Sequence, residues 1–552
     1  MNRQSHKPRE RVLATILPER LESRTLFAIP SGLNGSGVPV AQVEADLSTN
    51  QFEVNPAAVG QPASLFTYIS PAGTASGTPP PNAAGTESYH GDGVGQLFYG
   101  KGTSYAPGVS HVDNYEVNYF INNVIEAANP PNIPAKVINQ SFVATDSTGS
   151  ATVDPVLDQA YDNYVARYNK IIVSSSGNSG TPSSPSTAYN GISVGSSNGA
   201  TAVGPTADGR SKPDITAPGG ATSYTAPQVA GAATVLVQAG RSGHGGWNTY
   251  AATDARLIKA LLLNGADKPA GWTHTPTQPL DPHYGAGVLD LANSLAELEG
   301  GQDWLAIPTI TPLGGSHGPI SFPFFASSKT SGWDLNSITT GSRFDTANNY
   351  LFNVHGSTGS TETLTATLTW NRQVNQAAIN NLDLYLYDTD THSLVAQSIS
   401  GVDNVEELFT TGLAPGHYDL EVLKHGGTPG VKPGDVSNSE TYALAFNFSG
   451  ASSTAAGSAS LPASPTLGPA VVIAKQPASG GAGHVFRPAI TVVGTPASNS
   501  AGNSATPADN SIISMAPISA GTSARAGGVN ASLTSGSIGG PWAGTLVDQK
   551  MD

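Results

Sequence analysis

The stretch PGGATSYTAPQVAGAATVLVQAG (218–240) decides the reading of this chain. Ser223 stands just ahead of a run of small and apolar residues, and the pattern predicts a helix from about Thr225, with Pro227 in its first turn, where the N–H it lacks would have no intrahelical partner. Ala226, Ala230, Gly231 and Ala233 give such a helix a thin face that lets it sit close to the sheet. A serine at a helix start has free backbone N–H groups and the positive end of the helix dipole beside it, which suits a developing oxyanion. Taken alone, such a serine is more often an ordinary N-cap.

Working outward, short β-branched runs alternate with helical patterns, as in a parallel α/β sheet. VPVAQVEA (38–45), KVINQS (136–141) and IIVSSSG (171–177) read as strands. Between the last two, Asp154 and Pro155 open a helix that places Leu157, Tyr161, Tyr164, Val165 and Tyr168 on one face. A second helix starts at Asp254 and stops near Gly265. After Gly300 the period drops to two, in ETLTATLTW (362–370) and NLDLYLYD (381–388), which predicts an antiparallel β-sandwich. The expected organisation is a leader-like segment over 1–35, an α/β domain over 36–300, a β-sandwich over 305–450 and a Ser/Ala/Gly/Pro-rich tail over 451–552 that does not fold alone.

The chain of 552 residues carries a net charge of −15 and no long basic run, which argues against nucleic acid as a partner. It has no cysteine, so disulfides and thiol chemistry are excluded. No apolar run is long enough for a membrane-spanning helix. LPERLESRTLFA (17–28) resembles a motif near the N terminus of exported planctomycete proteins, implying a secreted or surface location; a short charged helix is the alternative.

Six segments, in order, resemble the subtilase family of serine proteases. PGGATSYTAPQVAGAA resembles the nucleophile motif G-T-S-x-x-x-P-x-V-A-G, and SKPDITAPGG (211–220) the preceding K-P-D-x-x-A-P-G. SSSGNSG (174–180) is similar to the oxyanion segment, SPSTAYNGISVGSSN (184–198) to the strand after it, KVINQSF (136–142) to V-I-N-x-S, and HYGAGVLDLANSL (283–295) to the closing motif. The resemblance implies a serine endopeptidase with Ser223 as nucleophile, Asn178 as oxyanion donor, and Ser141 and Phe142 on an edge strand that receives the substrate backbone. YHGDGVGQLFYG (89–100) resembles the histidine segment and makes His90 the general base, although Asp92 and Gly93 replace the family's Thr and second His.

The acid is the larger departure. VAQVEA aligns with V-A-V-I-D and puts Glu44 at the position of the family's Asp, with Asp46, two residues on, as the fallback. Ala221 stands where the family has glycine, which requires a negative φ there. Too few residues precede the first strand for the usual inhibitory prodomain. The second half resembles the β-sandwich attached to some bacterial subtilases, where Asp383, Asp388 and Asp390 offer hard oxygen ligands for a structural calcium; solvated turn residues are the alternative. No cofactor is required, and the partner is a protein or peptide substrate. The competing function is a catalytically silent subtilase fold that binds without cutting. A serine-carboxyl peptidase would need Glu and Asp on one helix, and VIEAANP (124–130) has no such pair.

Overall fold

The computed structural model describes residues 32–145, 150–321, 326–327, 329–356, 359–427 and 436–450, with the backbone of 471–476 and 487–492. Its first half is built on an eight-stranded sheet in the order Ile215–Ala217, Ile192–Ser196, Ile171–Ser175, Val137–Gln140, Pro39–Glu44, His111–Glu116, Phe66–Ile69, Ala75–Ser76. All neighbours run parallel except the last pair. The strands from Val137–Gln140 to Ile215–Ala217 are buried along their whole length, as a sheet covered on both faces demands, and their β-branched content follows from that.

Among the described residues, six α-helices accompany this half: α1 (Tyr89–Phe98), α2 (Val117–Phe120), α3 (Pro155–Tyr168), α4 (Thr222–Arg241), α5 (Ala255–Asn264) and α6 (Leu291–Gly300). The caps read from sequence are in place. Asp154 accepts from the N–H groups of Val156 and Leu157, and Asp254 from that of Arg256. On α3, Leu157, Tyr161, Tyr164 and Val165 are buried. Pro39–Glu44 lies at the centre, with the chain extending from it towards both edges, so the carboxyl ends of the central strands border the crevice where open α/β sheets bind ligands.

The second half holds two antiparallel sheets. One orders Ile307–Pro312, Phe344–Val354, Gly416–Lys424, Leu382–Asp388 and Ser393–Ser398; the other, Ser331–Thr339, Ser439–Gly450, Glu362–Trp370 and Val405–Leu413. Leu364, Leu368 and Trp370 from one meet Leu382, Leu384, Leu386 and Leu420 from the other in a shared core, so the two sheets face each other as a sandwich.

The two halves do not keep separate cores. Trp333, Val405, Ala443 and Ala445 of the sandwich pack into the α/β core, and Trp333 donates its indole N–H to the carbonyl of Leu298 on α6. A buried polar seam adds to this: Arg372 pairs with Asp162 at 2.7 Å, and Asn190 both donates to the Arg372 carbonyl and accepts from its N–H. The segment 1–31 and most of 451–552 fall outside the described residues.

Candidate active site

The central strand delivers Glu44 at its carboxyl end, fully buried. One carboxylate oxygen lies 2.8 Å from Nδ1 of His90, and the other accepts from Nε2 of Gln42 at 2.7 Å. Gln42 also donates to the Gly91 carbonyl at 2.9 Å and accepts from the Tyr99 hydroxyl at 2.5 Å. Burial, and then the charge of Glu44, push the Tyr99 phenol well above its usual range, so it stays a donor. Tyr99, Gln42, Glu44 and His90 thus form one directed chain. A carboxylate on Nδ1 places the ring proton there and leaves Nε2 as the basic nitrogen. Nε2 is buried and has no hydrogen-bond partner among the described residues.

Ser223 sits in the first turn of α4, and the sequence reading of that helix needs two corrections. The helix begins at Thr222 rather than near Thr225, and its N-cap is Ala221, extended at φ −153° and unable to cap through its side chain. Ser223 is therefore not a cap, and the negative φ that Ala221 requires is present. Pro227 consequently lies inside the helix, beyond the first turn. Its missing N–H would have bonded the carbonyl of Ser223, four residues back. The Ser141 hydroxyl donates to that orphaned carbonyl instead, at 2.9 Å. In return the Ser223 hydroxyl donates to the Ser141 carbonyl at a long 3.4 Å. The proline thus locks the end of Val137–Gln140 onto the turn that carries the serine.

The helix bearing His90 packs on the helix bearing Ser223. A Cβ at Gly231 of α4 would come within 3.0 Å of the Phe98 carbonyl on α1, so the thin face read in the sequence serves α1 at this point. The ring of Tyr224, next to Ser223, lies 5.9 Å from the His90 ring, centroid to centroid. Gly93 is explained by the same contact: a Cβ there would meet Tyr224 Cε1 at 2.9 Å, leaving no space for the family's second histidine. Asp92, the other departure, anchors a loop by accepting from the Asn55 N–H at 2.7 Å. Burial, reinforced by Glu87 and Glu44, pushes its carboxyl up to about 7.

Asn178 follows Gly177, whose φ of +108° is a conformation glycine adopts freely. Its side-chain oxygen accepts from both the N–H and the hydroxyl of Thr222 at 2.8 Å, which fixes the amide beside the start of α4. Phe142 is buried in the core at the start of the edge strand Phe142–Thr145. Asp46, the fallback acid, lies past the end of the central strand and accepts from the Asn50 N–H at 3.0 Å. The sandwich aspartates have separate occupations: Asp383 pairs with His425, Asp388 accepts from the N–H groups of Asp390 and Thr391, and Asp390 pairs with His417. No group of three or more metal-ligating side chains occurs among the described residues.

Residues 103–287 match the family model of peptidase S8, the subtilase family. This region belongs to the subtilase family. The subtilase match includes Ser141, Asn178 and Ser223, whereas Glu44 and His90 precede it. The match supports a subtilisin-like serine peptidase in this part of the chain. Solved structures similar to the chain include a protease from Pseudoalteromonas arctica PAMC 21717, at 17% identity over 48% of this chain and 91% of that one, with a TM-score of 0.34. MycP1 with its N-terminal propeptide removed is 20% identical over 48% and 91%, with a TM-score of 0.29. The patellamide maturation protease PatG is 15% identical over 48% and 92%, with a TM-score of 0.31. No curated protein matches the chain.

Gln42, Tyr99 and Tyr224 were not singled out from the sequence. For Gln42 the signal was present, since it stands two residues before Glu44 and so shares its face of the strand. Tyr99 and Tyr224 carry no such signal, because only helix packing brings them to the imidazole.

Proposed function

We propose that this subtilase hydrolyses peptide bonds within polypeptides through an acyl-enzyme, with Ser223 as nucleophile, His90 as base and Glu44 as the acid of the triad. The observation that carries this reading is the 2.8 Å contact between Glu44 and Nδ1 of His90, with the opposite ring nitrogen left unpartnered on the side chain that packs against Tyr224. In the reaction, Nε2 of His90 takes the Ser223 hydroxyl proton as the oxygen bonds the substrate carbonyl carbon. The Ser223 N–H and the Asn178 amide are the donors for the oxyanion. His90 passes the proton to the departing amine; a water, deprotonated by the same nitrogen, then cleaves the ester. Glu44 accepts the Nδ1–H throughout and stabilises the imidazolium. The reading needs no cofactor, and the leader-like motif in 17–28 favours a secreted or surface location.

The bond from the Ser223 hydroxyl to the Ser141 carbonyl supports the silent-fold reading, since a nucleophile should face its base. Rotation of the serine side chain would release it, and catalytic hydrogen bonds often tighten only with substrate bound. Wild type and Ser223→Ala are compared for labelling by a fluorophosphonate and for cleavage of unfolded casein. Labelling and cleavage by wild type alone are expected; equal inertness would establish the silent fold.

A further inference from the structure

The edge strand Phe142–Thr145 begins one residue after Ser141, so whatever pairs with it lies beside the nucleophile. One side of this strand is occupied from within the α/β half. The Phe142 carbonyl accepts from the Ser175 hydroxyl, the Ala144 N–H donates to the Ser184 carbonyl, and the Ala144 carbonyl accepts from the Thr152 N–H. Because successive residues of a strand turn their backbone groups to opposite sides, Ser141, Val143 and Thr145 face the other way. That second side is the one a substrate backbone would use, and the Ser141 carbonyl at its head already receives the Ser223 hydroxyl.

The second side is filled by the chain's own tail. Val471–Gln476 pairs with it in parallel, Val471 opposite Phe142, Val472 opposite Val143, Ile473 opposite Ala144 and Ala474 opposite Thr145. Arg487–Val492 pairs antiparallel on the outside, completing a three-stranded sheet. The pairing agrees with composition, since VVI (471–473) and ITVV (490–493) are β-branched runs in a tail otherwise dominated by Ser, Ala, Gly and Pro.

We propose that the tail strand Val471–Gln476, backed by Arg487–Val492, occupies the substrate-backbone edge and holds the peptidase in a self-blocked state that an extended polypeptide must displace. The occupant is bound by strand addition, in which main-chain hydrogen bonds supply the affinity, so it competes with any extended polypeptide whatever its side chains. The inference rests on the peptidase reading for its consequence, but not for the docking itself.

The test uses the full chain carrying Val472→Pro and Ile473→Pro together. Consecutive N–H groups point to opposite neighbours, so one of the two prolines removes a donor to the Phe142–Thr145 edge. Thermal denaturation checks that the fold is kept. Hydrogen exchange reads the docking without any activity: the Val143 and Thr145 amides should exchange on the order of tenfold faster in the variant. A synthetic peptide of residues 469–493, added to the variant, should restore protection. Blocking is read as binding of fluorescein-labelled carboxymethylated casein in a Ser223→Ala background, where no cleavage intervenes. Removing the occupant should tighten binding by about three- to tenfold, the factor by which a mostly occupied edge weakens apparent affinity. Unchanged exchange overturns the docking, and faster exchange with unchanged casein affinity overturns the blocking. Failure of fluorophosphonate labelling in otherwise wild-type chain would instead remove the peptidase reading, leaving the exchange result standing.

Discussion

At the scale of single residues, the site depends on which carboxylate reaches the imidazole. Glu44 lies at the last position of the central strand and its extra methylene, relative to aspartate, brings an oxygen to 2.8 Å from Nδ1. Glu44→Gln keeps the shape and the Gln42 contact but removes the negative charge and admits the wrong ring tautomer. The expected loss in kcat is on the order of 10³–10⁴-fold, the range seen when a triad acid becomes its amide. Circular dichroism and the melting temperature should be nearly unchanged, and a loss below tenfold would remove Glu44 from the mechanism. Asp46, two residues on, would have been an equal candidate had the strand continued, but the chain turns after Glu44 and Asp46 is spent on Asn50.

Among the elements, α4 shows how one proline shapes a site. Ser141 supplies the donor that Pro227 withholds from the Ser223 carbonyl. Ser141→Ala leaves that buried carbonyl without its partner and should cost about 1–3 kcal/mol, measured by urea denaturation. Adding Pro227→Ala restores an N–H to the helix and should recover part of the loss, a compensation that a general packing defect would not show. On α6, burial pushes Glu297 up to about 8, while Asn264 and Lys268 pull the other way. Its pKa is raised on folding, so its contribution is fully present below the ordinary glutamate range and is lost as pH rises through about 8. Glu297→Gln keeps the acceptor for Asn264 and should melt at a temperature that falls less between pH 6 and about 9 than that of wild type. Identical slopes would show that Glu297 does not govern this limb.

For the molecule as a whole, the α/β half and the sandwich are joined by a continuous apolar core and by the Asp162–Arg372 pair. Burial raises the Asp162 carboxyl, with Arg372 opposing, so removal of the guanidinium leaves an uncompensated buried acid. Arg372→Ala should destabilise by roughly 3–5 kcal/mol. Both halves should melt together at a lower temperature, as followed by calorimetry. Separate transitions, with the α/β half unaffected, would show that the sandwich is an independent module.

Much of this was legible in the chain. Alternation of period 2 and the caps at Asp154 and Asp254 are local signals, and local signals survive folding because they describe backbone geometry within one element. The motifs placed Glu44 and Asn178 at strand ends and Ser223 at a helix start, whereas His90 was read as part of a polar loop and lies instead in the first turn of α1. What sequence could not supply were relations between elements. That α4 starts three residues early, that Ser141 repairs the bond Pro227 breaks, that Gln42 and Tyr99 stand behind Glu44, and that a tail strand pairs beside Ser141 all depend on distances across the fold. The chain itself determined which chemical groups were present and the face or terminus each occupies, since propensity and patterning act over a few residues. Only tertiary packing decided which of those groups meet, because hydrogen bonding and burial act between surfaces that sequence separation does not measure.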